Sequence, residues 1–140
     1  MTRTEPFSFK LDPQSGVPVY RQIIDQVQAG LASGTLARGD QLPTVRQVAV
    51  DLEINPNTVL RAYRELEIRG VLDTHQGTGT FVSDRSTPED EVERARKLEQ
   101  LVSDVVSRAG AGGFTLRDVT EALQQRLDQV SAEPRKRTPK

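Results

Sequence analysis

Between residues 42 and 82, two short helix signals follow one another with only a few residues between them, and a glycine-pinched pair of strands comes directly after. Thr44-Val45-Arg46-Gln47 has the S/T-x-x-E/Q form of a capping box, so a helix is expected to start at Thr44. Val45, Val48, Ala49 and Leu52 give that helix one apolar stripe. Asn55 is the next good N-cap, with Pro56 at the first helical position. Val59, Ala62, Tyr63 and Leu66 share a face of this second helix, and Gly70 suits the left-handed residue that ends it. Residues 71–74 and 80–83 then read as two strands, with Gly77 and Gly79 allowing the reversal between them. One helix to brace, one to enter a major groove and a β-wing beside them make a winged helix-turn-helix.

The flanks read as equipment for this unit. Phe7, Phe9 and Leu11 alternate with Ser8, Lys10 and Asp12, the period of a half-buried strand. Residues 13–16 form a turn, and a first helix runs from Pro18 to about Ser33 with Tyr20, Ile23, Ile24, Val27 and Leu31 on one face. Residues 34–41 are expected to be a loop. After the wing, residues 83–88 are a polar joint; Thr87 caps a fourth helix with Pro88 at its first position. Ala95, Leu98, Val102, Val105 and Ala109 recur there at spacings of three and four, and Leu101 and Val106 widen the stripe. Residues 110–113 break the chain. Thr115 caps a fifth helix carrying Leu116, Val119, Leu123, Leu127 and Val130. Two amphipathic helices joined by a short loop make a hairpin that buries only one side by itself. The expected architecture is therefore α+β. A winged helix-turn-helix domain occupies residues 1–85, a helical dimerisation hairpin residues 86–132, and a disordered basic tail residues 133–140. The dimer seam is assigned to Leu98, Leu101, Val102 and Val105 with Val119, Leu123 and Leu127.

Composition narrows the function. The chain has no cysteine and a single histidine, His75, so disulfides, multi-histidine metal sites and Ser-His or Cys-His catalysis are hard to build. No apolar run approaches the roughly 20 residues of a membrane span, and no secretory signal opens the chain, as expected of a cytoplasmic protein. Carboxylates are plentiful but form no nucleophile–base constellation, so no enzyme and no cofactor are expected. Net charge is −1, and residues 1–85 carry nine Lys/Arg against ten Asp/Glu. A near-neutral reading head implies modest affinity for phosphate from one copy, with dimerisation supplying much of the rest. The same neutrality leaves open a winged-helix module that binds protein without reading DNA.

The ordered set Pro18-Val19-Tyr20-Arg21-Gln22-Ile23, Leu42-Pro43-Thr44-Val45-Arg46, Asn57-Thr58-Val59 with Ala62, and Gly77-x-Gly79-Thr80-Phe81-Val82 resembles the GntR family of bacterial transcription regulators. It covers about residues 7–83. The short helical part resembles the YtrA-like branch, since about 55 residues after the wing are too few for the larger effector-binding or aminotransferase-like domains of other branches. The resemblance implies a repressor that binds double-stranded operator DNA as a homodimer. Any small-molecule effector would then have to act through the dimer. The pattern departs from the family where Pro56 and Leu60 stand in place of arginines, so the contacts of those arginines do not carry over. Arg61 is the nearest basic substitute, about 100° away around the helix.

Arg46 matches a DNA-contacting arginine of the family, and its planar guanidinium suits phosphate or guanine; the plain alternative is a solvated arginine paired with Asp51 or Glu53. Thr44 is a cap that is also assigned to the DNA face, whereas for Asn55 capping alone and a DNA contact are equally good readings. Asn57 and Thr58 lie in the turn that a recognition helix points at base edges, where asparagine pairs with adenine and threonine meets phosphate or a thymine methyl. Arg61 is assigned to DNA, whereas Arg64 is equally well read as a surface charge neutralised by Glu65 and Glu67. At the wing tip, His75, Gln76, Gly77 and Thr78 are either solvated loop or minor-groove contacts. Tyr63 shares the core face and is assigned to packing.

Overall fold

The computed structural model describes residues 7–84 and 88–132, which divide into two compact units after Asp84. The expected Thr87 cap, residues 85–87 of the joint and the basic tail lie outside the described residues.

In the first unit, α1 (Val19–Ser33), β1 (Gln41–Leu42), α2 (Val45–Leu52), α3 (Pro56–Ile68), β2 (Leu72–His75) and β3 (Gly79–Val82) form a winged helix-turn-helix. The capping signals act as expected. Thr44 Oγ1 accepts the Gln47 amide at 3.1 Å, and Asn55 Oδ1 accepts the Asn57 amide at 2.8 Å with Pro56 leading the helix. α3 ends at Gly70, whose φ is 79°; the Val71 amide returns to the Leu66 carbonyl at 2.9 Å and the Gly70 amide to Glu67 at 3.0 Å. The turn between α2 and α3 holds Glu53 in the left-handed region (φ 57°), the only non-glycine residue so placed among those described.

All three helices contribute to one core. Ile23, Ile24 and Val27 of α1 meet Val48 and Ala49 of α2, and Val59, Ala62, Tyr63 and Leu66 of α3, with Leu42, Leu72 and Val82 from the sheet closing it. Leu36 is also buried, although it lies in a segment with no regular structure.

Three expectations for this unit are corrected. Residues 7–12 form no strand. Gln26 Oε1 accepts the Lys10 amide at 3.0 Å and Gln26 Nε2 donates to the Lys10 carbonyl; Gln22 does the same for Asp12 at 2.8 and 3.1 Å. Two glutamines one turn apart on α1 thus replace a neighbouring strand. The alternation survives, with Phe9 buried, Phe7 and Leu11 half-buried and Ser8 and Lys10 exposed. Secondly, residues 34–41 are not all loop: β1 adds an edge to the wing in the order β1-β3-β2, with Gln41 opposite Phe81 and Leu42 opposite Thr80. Finally, β2 and β3 lie one residue away from the expected spans, in an antiparallel register from Leu72↔Val82 to His75↔Gly79.

The second unit consists of α4 (Pro88–Ala111) and α5 (Leu116–Ala132). α4 begins at Pro88 as expected, but continues through Gly110 before the chain turns at Gly113, whose φ is 85°. Thr115 and Asp118 form a reciprocal capping box, each side chain accepting the other's amide at 3.1 and 2.9 Å. Packing of one helix on the other is slight. A hairpin would bury one side, yet Leu98, Leu101, Val102, Val105, Leu123 and Leu127 are all exposed, Leu98 at 61% and Leu123 at 57%; Val119 is half-buried. Each apolar stripe therefore remains largely open within one chain.

Candidate nucleic-acid interface

The core uses one face of α3 and frees the opposite one. Asn57, Arg61 and Arg64, spaced by four and three residues, stand exposed along that free face. With Leu60, Glu65 and Ile68 they line an open groove of about 350 Å³. Exposed Arg46 lies in the first turn of α2, and exposed Thr44 precedes it. Among the described residues Arg46 has no ion-pair partner, so the alternative pairing with Asp51 or Glu53 is not formed. Arg64 likewise stands unpaired, because its two expected neighbours are engaged elsewhere. Glu65 binds Arg69 at 3.1 Å, and Glu67 accepts the hydroxyl of Thr74.

Arg61 is a different case. Its guanidinium lies 3.7 Å above the centre of the Tyr20 ring of α1. Stacking consumes the flat face of the guanidinium and leaves its edge N–H donors available. Asn55 is exposed, but its Oδ1 is committed to the cap; Thr58 is half-buried. Behind this surface, the buried Tyr63 hydroxyl donates to the Pro43 carbonyl at 2.6 Å and ties α3 to the entry of α2. Burial pushes the phenol well above its ordinary pKa, which keeps the donor protonated.

The wing tip presents His75, Gln76, Gly77 and Thr78, all exposed. Its position is set by a residue that sequence reasoning missed. Gln41 Nε2 donates to the Thr78 carbonyl at 3.1 Å. Gly79 has φ 136°, which favours glycine, and a Cβ there would come within 2.5 Å of that same amide nitrogen, so the Gln41 side chain would have to shift and its bond to Thr78 would be disturbed. The Thr74–Glu67 bond anchors the wing to α3, and His75 packs edge-on against Phe81 at 5.3 Å. No short-range signal marks Gln41, whose partner is 37 residues away. Among the described residues no group of His, Cys, Asp and Glu is arranged to hold a metal, and no helix is long and apolar enough to cross a membrane.

An exposed amide-and-arginine face on the second helix of a helix-turn-helix, with a braced wing beside it, is the architecture of known bacterial regulators. Residues 19–82 match the family described as bacterial regulatory proteins, gntR family. The transcriptional repressor YtrA of Bacillus subtilis is 32% identical over 124 residues, covering 89% of this chain and 92% of that one. The chain belongs to the GntR family. Within it, the YtrA-like branch is supported at both levels. The solved structure of YtrA from Sulfolobus acidocaldarius, a GntR-family transcription factor, superposes with a TM-score of 0.54 at 30% identity, over 75% of this chain and 99% of that one. The regulator Rv1152 of Mycobacterium tuberculosis is 39% identical over 81% of this chain and 89% of its own length. These relatives are transcription regulators and not enzymes.

Proposed function

We propose that this GntR-family chain is a repressor that binds a palindromic operator as a homodimer. The observation that carries the proposal is the free face of α3. Asn57 and Arg64 are exposed there, Arg64 has no ion-pair partner among the described residues, and Arg46 is likewise exposed and unpaired on α2. Asn57 and Arg64 read base edges in the major groove, Arg46 binds guanine or phosphate, and Arg61, braced on Tyr20, serves as a phosphate clamp. Thr44, Asn55 and Thr58 add backbone contacts at the two helix starts, and the wing residues 75–78 reach the adjacent minor groove or backbone.

Dimerisation is supported by the uncovered stripes of α4 and α5. Leu98, Leu101, Val102 and Val105 of one copy, with Val119, Leu123 and Leu127, supply the apolar surface that a second copy would cover. The repressor sign follows the name of the Bacillus subtilis relative. A selection of randomised duplex by the full chain tests the reading, followed by affinity measured against salt. An inverted repeat should emerge, with a steep loss of affinity as salt rises. Recovery of no sequence, together with salt-independent or absent duplex binding, would favour a protein-binding module instead.

A further inference from the structure

Leu60 is the fifth residue of α3 and belongs to neither of the faces usually assigned to such a helix. It is absent from the core cluster, where Val59, Ala62, Tyr63 and Leu66 are almost fully buried, and remains only half-buried. It lines the groove between Asn57, one turn earlier, and Arg64, one turn later. The neighbouring cation does not cover it, because Arg61 is held over the Tyr20 ring. An aliphatic surface therefore sits between an amide and a guanidinium on the free face.

The first turns of a recognition helix are the part that reaches base edges. A rise of 1.5 Å per residue puts Leu60 about 4.5 Å along the axis from Asn57, close to one base-pair step. The thymine methyl is the apolar group that a base presents in the major groove. Ile68 is chemically similar but lies about 12 Å farther along, at the end of the helix. Resting on the DNA-binding reading above, we infer that Leu60 reads the 5-methyl group of a thymine adjacent to the base contacted by Asn57.

Deoxyuridine tests this directly, since it removes the methyl group and keeps the hydrogen-bonding edge. The best duplex selected by the full chain is remade with each thymine replaced in turn. One position per half-site should weaken wild-type binding about fourfold, the effect of burying one methyl group. Leu60→Ala should bind the thymine and deoxyuridine duplexes equally, with an unchanged melting temperature. Leu60→Met, which keeps an aliphatic contact, should retain the discrimination and guards against misfolding of the alanine variant. The inference is overturned if no thymine position matters to wild type, or if the same position matters equally to Leu60→Ala. A selection that succeeds without methyl dependence removes this inference alone. One that enriches no sequence removes the DNA-binding reading along with it.

Discussion

The two units of this protein carry similar amphipathic helices and treat them in opposite ways. In the first, the apolar face of every helix is spent on one core, and Leu66 is fully buried. In the second, leucines at comparable helical spacing stay in solvent, Leu101 at 59% and Leu127 at 54%. The difference lies in topology. α1, α2 and α3 share one unit and have a sheet to close over, so three stripes converge. The second unit consists of α4 and α5 alone, and two helices present too little surface to enclose a core. An apolar stripe thus states that something must cover it, and the number of neighbours decides whether the cover comes from the same chain.

That contrast can be broken or sharpened by experiment. The largest effect is expected from removing the second unit. A chain ending at Arg85 should remain folded but become monomeric, and lose about 10²- to 10⁴-fold in operator affinity as the second half-site ceases to be intramolecular. A truncated chain that stayed dimeric in sedimentation would move the seam into the head. Next come paired leucine deletions. Leu66→Ala should destabilise the head by about 2–5 kcal/mol at any concentration, as for other buried leucines. Leu101→Ala should leave the melting of the truncated-equivalent head unchanged and act instead on the dimer, visible as a concentration-dependent shift in molecular mass. Equal destabilisation by both would show that α4 is buried within one chain.

Smaller effects are expected at the DNA face. Arg46→Ala and Arg64→Ala should each weaken operator binding by about 1–3 kcal/mol with little change in thermal stability, because neither side chain is buried or paired. Binding titrations at fixed low salt, beside melting curves, separate the two quantities. The smallest effect is expected at Glu53. Its left-handed backbone suits glycine, so Glu53→Gly should raise the stability of the head by up to about 1 kcal/mol in urea titrations. A loss of stability there would mean that the Glu53 side chain makes a contribution larger than its backbone strain.

Local signals were legible wherever their cause was local. Thr44, Asn55, Pro56, Gly70 and Thr115 cap or end helices through bonds spanning a few residues, and their chemistry is written in adjacent positions. The exposure of Arg46, Asn57 and Arg64 was legible because capping and periodicity together orient the helices on which they sit. The reading of residues 7–12 as a strand failed for an instructive reason. Alternation reports which side chains are buried and says nothing of what satisfies the backbone, and here Gln22 and Gln26 satisfy it. Two-residue β1 lacked enough length to show any period, and buried Leu36 lacked any regular element.

The amino-acid order alone determined the five helices and the two strands of the wing hairpin, the helix starts set by caps, the face of α3 that enters the core and the face left free, because each depends on interactions within a short stretch of chain. Tertiary structure alone decided the rest. It paired Gln41 with the wing, Tyr20 with Arg61, and Glu67 with Thr74, which in turn left Arg64 without a carboxylate. These contacts join residues from different elements, and no spacing rule connects them. Only when the chain closes on its core do they come within bonding distance.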